Sequence, residues 1–183
     1  MKKIFLLLVV SVLSFSCGKK EANEQKEVQE EQEVVVNPNT FKVEVEGIFK
    51  KDDELILFWK DPSISYFDDK HTIYQGIKGS DSPQKIVFEF NEGEIPNDIR
   101  FDVSSKKEQN EIMLNYIKLE QQDRSFVIGK DKISHYFRTN EFAQLDSLSG
   151  KIVTKEINQA YDPILFTNPQ IYPEMERVLK TQF

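Results

Sequence analysis

The chain has 183 residues, with 24 Lys and Arg against 31 Asp and Glu, which is length for one domain with a real hydrophobic core and too little for two once a leader and a tether are set aside. Lys2 and Lys3 fall in that leader, leaving 22 cations against 31 acids, a net charge of about −9, and this balance excludes nucleic acid as a main partner because phosphate binding needs clustered cations. The single cysteine, Cys17, excludes an intramolecular disulfide.

After Lys2-Lys3, the stretch Ile4 to Leu13 is apolar apart from Ser11. It is too short to span a bilayer, which takes about 20 apolar residues, but has the length of the hydrophobic part of an export signal. Leu13-Ser14-Phe15-Ser16-Cys17 closes the run with a small residue before the cysteine. This resembles the lipobox of bacterial lipoproteins, in which a signal peptidase cuts before a cysteine whose thiol has been acylated; Phe15 is bulkier than the residue usual at its place. The resemblance implies a signal peptide over 1–16, a lipid on Cys17 and export to a bacterial membrane, with the outer membrane favoured. Each buried methylene contributes about 0.8 kcal/mol, so two or three acyl chains would hold the protein durably at its membrane partner. The next stretch, GKKEANEQKEVQEEQE over 18–33, buries too little to offset the entropy of ordering. Residues 17–38 are therefore expected to be a disordered acidic tether, and 39–183 a single domain.

At Phe41 the pattern changes to period two. Phe41, Val43 and Val45 alternate with Lys42, Glu44 and Glu46, as in a half-buried strand. Leu55 to Trp59 is nearly continuous in apolar residues and reads as a strand covered on both faces, ended by Asp61-Pro62. Ile73-Tyr74 and Ile77 suggest a short strand before the turn at Gly79 to Pro83. Ile86, Phe88 and Phe90, then Ile99, Phe101 and Val103, make two further alternating strands, and the short connection Asn91 to Asn97 suggests an antiparallel hairpin between them. In the run 112–119, Ile112 and Leu114 share one parity and Ile117 and Leu119 the other. One extra residue near Asn115-Tyr116 would put all four inside, which predicts a β-bulge. Phe126 and Ile128 continue as strand, Ile133 to Phe137 suggests one helical turn, and Phe142 to Leu148 and Ile152-Val153 suggest short strands. From Ile157 the chain, with Pro163, Pro169 and Pro173, reads as irregular until a helix over Pro173 to Lys180, where proline stands at the start, acids fill the first turn, and Met175, Val178 and Leu179 would face inward.

Short alternating strands with frequent turns add up to an all-β fold, an antiparallel β-sandwich of jelly-roll kind with a short C-terminal helix. Asp52-Asp53-Glu54-Leu55 with Leu57-Phe58-Trp59, then Gln84 with Ile86, Phe88 and Phe90, then Ile99-Arg100-Phe101-Asp102 and the split run at 112–119, resemble a group of bacterial β-sandwich lipoproteins. They are also similar to accessory domains of polysaccharide-building glycosyltransferases and, more distantly, to galactose-binding-type jelly rolls. The likeness spans about 41–128 and implies a fold and a link with glycans; it carries no catalytic residues.

His71 and His135 lie far apart with no ligand spacing around them, and HExxH, G-x-S-x-G and phosphate-cradling motifs are missing from the sequence. Asp52-Asp53 and Asp68-Asp69 could supply oxygens to a structural Ca²⁺, although no D-x-D-x-D-G loop is present; no cofactor is expected. Arg100 and Asp102 share the outward face of one strand, either to grip sugar hydroxyls or a carboxylated glycan, or simply as ion pairs. Trp59, Tyr66, Phe67 and Tyr74 flank a polar cluster with Asp69, His71 and Gln75. Aromatic faces stack on sugar rings while polar neighbours bond hydroxyls, so this segment is the candidate binding loop, the alternative being that Trp59 is core and Tyr66 and Phe67 pin the loop. The expectation is a non-enzymatic, lipid-anchored envelope protein that binds a glycan. The alternatives are a scaffold lipoprotein that binds another envelope protein, or a small hydrolase.

Overall fold

The structure, a computed structural model, describes residues 39–181. The leader, Cys17 and the tether lie outside the described residues. Eleven strands and two α-helices follow in order: β1 (Lys42–Phe49), β2 (Asp53–Lys60), β3 (Thr72–Ile77), β4 (Gln84–Glu89), β5 (Asp98–Asp102), β6 (Glu111–Gln121), β7 (Arg124–Gly129), α1 (Ile133–Tyr136), β8 (Phe137–Thr139), β9 (Ala143–Leu145), β10 (Lys151–Thr154), β11 (Ile164–Thr167) and α2 (Tyr172–Leu179). They form two antiparallel sheets. The first runs β4-β1-β6-β10-β9 with β7 also paired to β6, and the second runs β3-β2-β5-β11-β8. This is the all-β sandwich that the alternation implies.

The core lies between the sheets. Phe41, Val43, Val45, Phe88, Ile112, Leu114, Ile117 and Leu119 come from the first sheet, and Leu55, Leu57, Trp59, Ile99, Phe101 and Leu165 from the second. Facing rings lock the two layers, with Phe88 and Phe101 5.7 Å apart at an edge-to-face angle and Phe90 5.7 Å from Trp59. Such pairs add about 0.5–1.5 kcal/mol beyond area burial.

The bulge stands where parity requires it. Glu46 pairs with Tyr116 and Gly47 with Leu114, so Asn115 has no opposite number and both apolar pairs of β6 are buried. A Cβ on Gly47 would lie 2.7 Å from the Met113 carbonyl oxygen, so the strand facing the bulge needs glycine there.

The β4–β5 hairpin does not form. β4 pairs with β1 in the first sheet and β5 with β2 and β11 in the second. Alternation looks alike on either side of a sandwich corner, and the stretch Asn91–Asn97 is long enough to cross the ~10 Å between sheets. Two strands, β8 and β11, arise where no strand was expected. Ile164-Leu165-Phe166-Thr167 lies between β5 and β8 inside the second sheet, its apolar, β-branched composition prevailing over the flanking prolines.

Helix α2 covers one end of the sandwich, packed on β6 and β7. Met175, Val178 and Leu179 are buried, and Arg124 Nε donates to the Val178 carbonyl over 2.6 Å, satisfying a C-terminal acceptor. The helix stops at Lys180, whose φ of 55° is left-handed.

Candidate functional site

The outward face of the second sheet carries a cross-strand row of rings and guanidinium groups. Phe58 of β2 stands opposite Arg100 of β5, Arg100 opposite Phe166 of β11, and Phe166 opposite Arg138 of β8. Aromatic and guanidinium therefore alternate across four strands. The Arg100 guanidinium lies 4.1 Å from the Phe58 ring centroid, and that of Arg138 lies 5.2 Å from the Phe166 centroid. Both are within the range of cation–π attraction. Phe58 is only 8% exposed although its side chain leaves the core, because Arg100 covers it.

Arg100 is already engaged. Its Nε and Nη2 each donate to an oxygen of Asp102 over 2.9 Å, a bidentate pair along one strand. Burial pushes the Asp102 carboxyl above its ordinary pKa, outweighing the opposing pull of Arg100. The neighbouring row holds Tyr74, Ile56, Asp102 and Ile164 in register.

Phe67 reaches this face from the loop 61–71. The loop is held by its own aspartates: Asp61 Oδ1 accepts from Ser63 N at 2.7 Å and from Ser63 Oγ at 2.6 Å, and Asp68 Oδ1 meets Lys70 N at 2.9 Å and His71 Nδ1 at 2.7 Å. These bonds lower the carboxyl pKa of both, the Ser63 hydroxyl acting most on Asp61 and His71 most on Asp68. Phe67 comes to rest with Lys60 Nζ 5.1 Å and Arg100 6.0 Å from its ring centroid.

Where this row meets the start of α2, a groove of about 610 Å³ opens, lined by Lys60, Phe67, Asp98, Arg138, Phe166, Thr167, Asn168, Pro169 and Tyr172. It continues past Lys60, Asp98 and Tyr172 to Asn97 and Glu176. That volume lies within the ~300–1,000 Å³ of small-molecule sites. The far wall is fixed by Asn168, whose N–H donates to Tyr136 O at 2.7 Å and whose amide donates to His135 O at 3.1 Å. Asp98 takes the Thr167 hydroxyl and sits 3.3 Å from Lys60 Nζ. Asn97 Oδ1 is buried at this margin with no hydrogen-bond partner, an acceptor in want of a donor.

Of the residues singled out in the sequence, Phe67 and Arg100 belong to this face, Asp102 holds Arg100, and Tyr74, 51% exposed, stands toward its edge. Tyr66 is 71% exposed. Trp59 is 6% exposed, turned into the core against Phe90 and edge-on to His71, so it presents no face to a ligand. Gln75 shares the parity of Leu55, its partner in β2, and so points away from Tyr74. Asp69 is exposed, its carbonyl accepting from the Thr72 hydroxyl at 3.0 Å. The four rings thus do not converge. Arg138, Phe166 and Tyr172 were not anticipated. For Phe166 the apolar run 164–167 between Pro163 and Asn168-Pro169 was a usable strand signal.

Of the two aspartate pairs, Asp52, Asp53 and Asp68 are bonded within the protein through their carboxylates. Asp52 meets Lys78 Nζ at 2.7 Å and Gly79 N at 2.8 Å, which lowers its pKa. Asp53, at the far end of β2 from the groove, accepts from Ser104 Oγ at 2.5 Å and Ser105 N at 3.0 Å. Tyr161 OH bridges Ser104 Oγ and Thr154 Oγ1 at 2.9 and 3.0 Å, closing that end with a hydrogen-bonded tie. Among the described residues, no group of three or more His, Cys, Asp or Glu is placed to hold a metal ion, and no helix is long and apolar enough to cross a membrane.

Compared with protein-family models, curated proteins and solved structures, the chain finds no match. What fold and groove define is a β-sandwich with a preformed surface groove of mixed aromatic and charged lining.

Proposed function

We propose that this protein is a lipid-anchored component of a bacterial cell envelope, held at its membrane by acyl chains on Cys17, whose β-sandwich binds a glycan or envelope polysaccharide without catalysing a reaction on it. The observation that carries the binding half is the groove. Three aromatic rings, from Phe67, Phe166 and Tyr172, line the same concavity as Lys60, Asp98, Thr167 and Asn168. Rings offer faces to the C–H surfaces of a sugar, and polar groups on fixed backbone offer partners to its hydroxyls. A protein partner is less well supported, because the exposed valines of the opposite face are set among charges, Val87 and Val127 being separated in their row by Glu44 and Lys118 and Val153 standing opposite Glu111, and no broad apolar patch results.

Two experiments test the two halves. Full-length protein carrying Cys17→Ser should lose palmitate labelling and leave the membrane fraction, and unchanged labelling would end the anchoring proposal. The purified full-length protein, screened against an array of bacterial envelope glycans, should retain a subset of them. Signal there should fall at least tenfold in Phe166→Ala, a loss of about 1.4 kcal/mol of binding. Retention of no glycan by the folded protein would remove the binding half.

A further inference from the structure

Resting on that reading, we infer that the groove selects an acidic sugar, one bearing a carboxylate such as a hexuronic acid residue, and that Arg138 is the side chain that reads the carboxylate. Two arginines stand in the aromatic–cation row, and their circumstances differ. The fork of Arg100 is filled by Asp102 through two hydrogen bonds. Arg138 pairs with no carboxylate among the described residues; its one hydrogen bond there is from Nη1 to the Thr167 carbonyl oxygen. A guanidinium carries five N–H donors in a rigid plane, so most of its fork remains for a ligand. Stacking on Phe166 and the bond to Thr167 hold that plane beside the groove, which reduces the entropy lost when a planar carboxylate docks on it.

The local charge has the same sign. Within the main groove, Asp98 is paired with Lys60 and hydrogen-bonded by Thr167, so Arg138 is the cation left uncompensated in that lining. A single anionic group is therefore favoured in a chain that is negative overall. The rest of the ligand must suit both the rings of Phe67, Phe166 and Tyr172 and the polar groups of Thr167 and Asn168, and a pyranose ring with a carboxylate on its rim meets both demands. The sequence points to Arg100 for such a role, but the geometry transfers the task two strands further, from β5 past β11 to β8.

The test is calorimetric titration of the full-length protein with tetragalacturonate, with the neutral β-1,4-galactotetraose, and with citrate as an anion lacking a sugar ring. Tetragalacturonate should bind at least tenfold more tightly than either control and weaken as salt is raised. Arg138→Ala should reduce tetragalacturonate affinity tenfold or more and neutral tetraose affinity less than twofold, with Arg138→Lys between, since it keeps the charge and loses the fork. Equal affinity for the acidic and neutral tetraoses would overturn the acidic-sugar inference while leaving a glycan-binding protein. Citrate binding as tightly as tetragalacturonate would also overturn it, by reducing the groove to an anion site. Binding of neither sugar would overturn the inference as well, while the glycan reading stands or falls separately on the array. The wild-type selectivity decides these outcomes even if the alanine variant does not fold.

Discussion

The outward faces of the two sheets obey the same two-residue alternation and reach opposite ends. On the first sheet, outward positions carry opposite charges side by side. Lys42 lies 3.5 Å from Glu89, Lys85 lies 3.8 Å from Glu44, and the row Val87, Glu44, Lys118, Val127 sets charged residues between the two exposed valines. An exposed pair such as Lys85–Glu44 contributes at most about 1 kcal/mol, and although Lys42 is itself buried, Lys85, Val87 and Val127 leave much of the face to water. On the second sheet, the outward row alternates ring and guanidinium, and the loop 61–71 and the segment 168–172 lie against it, so side chains outside the core are nevertheless buried. Alternation decides which way a side chain points. What it meets there is decided by the connections that cross the face, and these turn one face into a solvated surface and the other into a groove.

The largest effect that separates the faces is expected at Phe58. Phe58→Ala removes a buried ring from beneath Arg100 and should cost about 3 kcal/mol in urea unfolding, near the low end for buried Phe truncation. Val127→Ala, at a 55% exposed outward position of the first sheet, should change stability by less than about 0.5 kcal/mol. Equal costs would mean that the aromatic row is as solvated as the charged face.

Asp102 gives the next effect, and it has a sign. Its carboxyl pKa is raised by burial above the ordinary 3.8, so between that value and the folded one the folded state holds more protons than the unfolded. Stability contributed through this group therefore falls as pH rises across that window. Asp52 and Asp146, whose pKa values are lowered by Lys78 and by the Ser149 backbone respectively, act the other way, contributing stability that is lost as pH falls below the ordinary carboxylate value. Carboxyl NMR should find Asp102 titrating above both. Asp102→Ala should cost about 2 kcal/mol at neutral pH by leaving the Arg100 fork unpaired under cover. A midpoint for Asp102 below that of Asp146 would show the second face to be open to water.

How far the sequence discloses this contrast can be traced residue by residue. The parity break between Leu114 and Ile117 is enough to place the bulge near Asn115-Tyr116, because burying both pairs requires one extra residue between them, and the register with β1 singles out Asn115. Arg100 and Asp102 are legible as outward partners for the same reason. Trp59 is not legible as a binding residue or a core residue from its neighbours alone, since Leu55 to Trp59 is apolar on both parities and only pairing with β3 and β5 shows which side faces in. Arg138 and Phe166 escape because β8 is three residues long and β11 is short and flanked by Pro163 and Pro169; strands of that length carry too little pattern and are made by their neighbours. The groove joins residues from 60 to 172, and its rigidity comes from bonds such as Asn168 to Tyr136 that no periodicity announces.

The smallest effect asks whether the first face is uniformly solvated, and Tyr116 is the place to ask. Its hydroxyl donates to Glu44 Oε1 over 2.5 Å across β1 and β6. Burial and then the Glu44 carboxylate raise its pKa above the ordinary 10.0. Because the folded state keeps a phenolic proton that the unfolded state releases, stability through this group falls as pH rises above about 10. Tyr116→Phe removes the hydrogen bond and the titration together. It should cost about 1 kcal/mol at neutral pH, the net value of one such bond, and the variant should lose less stability than the wild type between pH 10 and 11.5 in parallel urea unfolding curves. Ultraviolet titration should show one tyrosine fewer resisting ionisation in the variant. If instead Tyr116→Phe costs as much as Phe58→Ala, outward rings matter equally on both sheets, and the groove side loses the distinction drawn from its aromatic row.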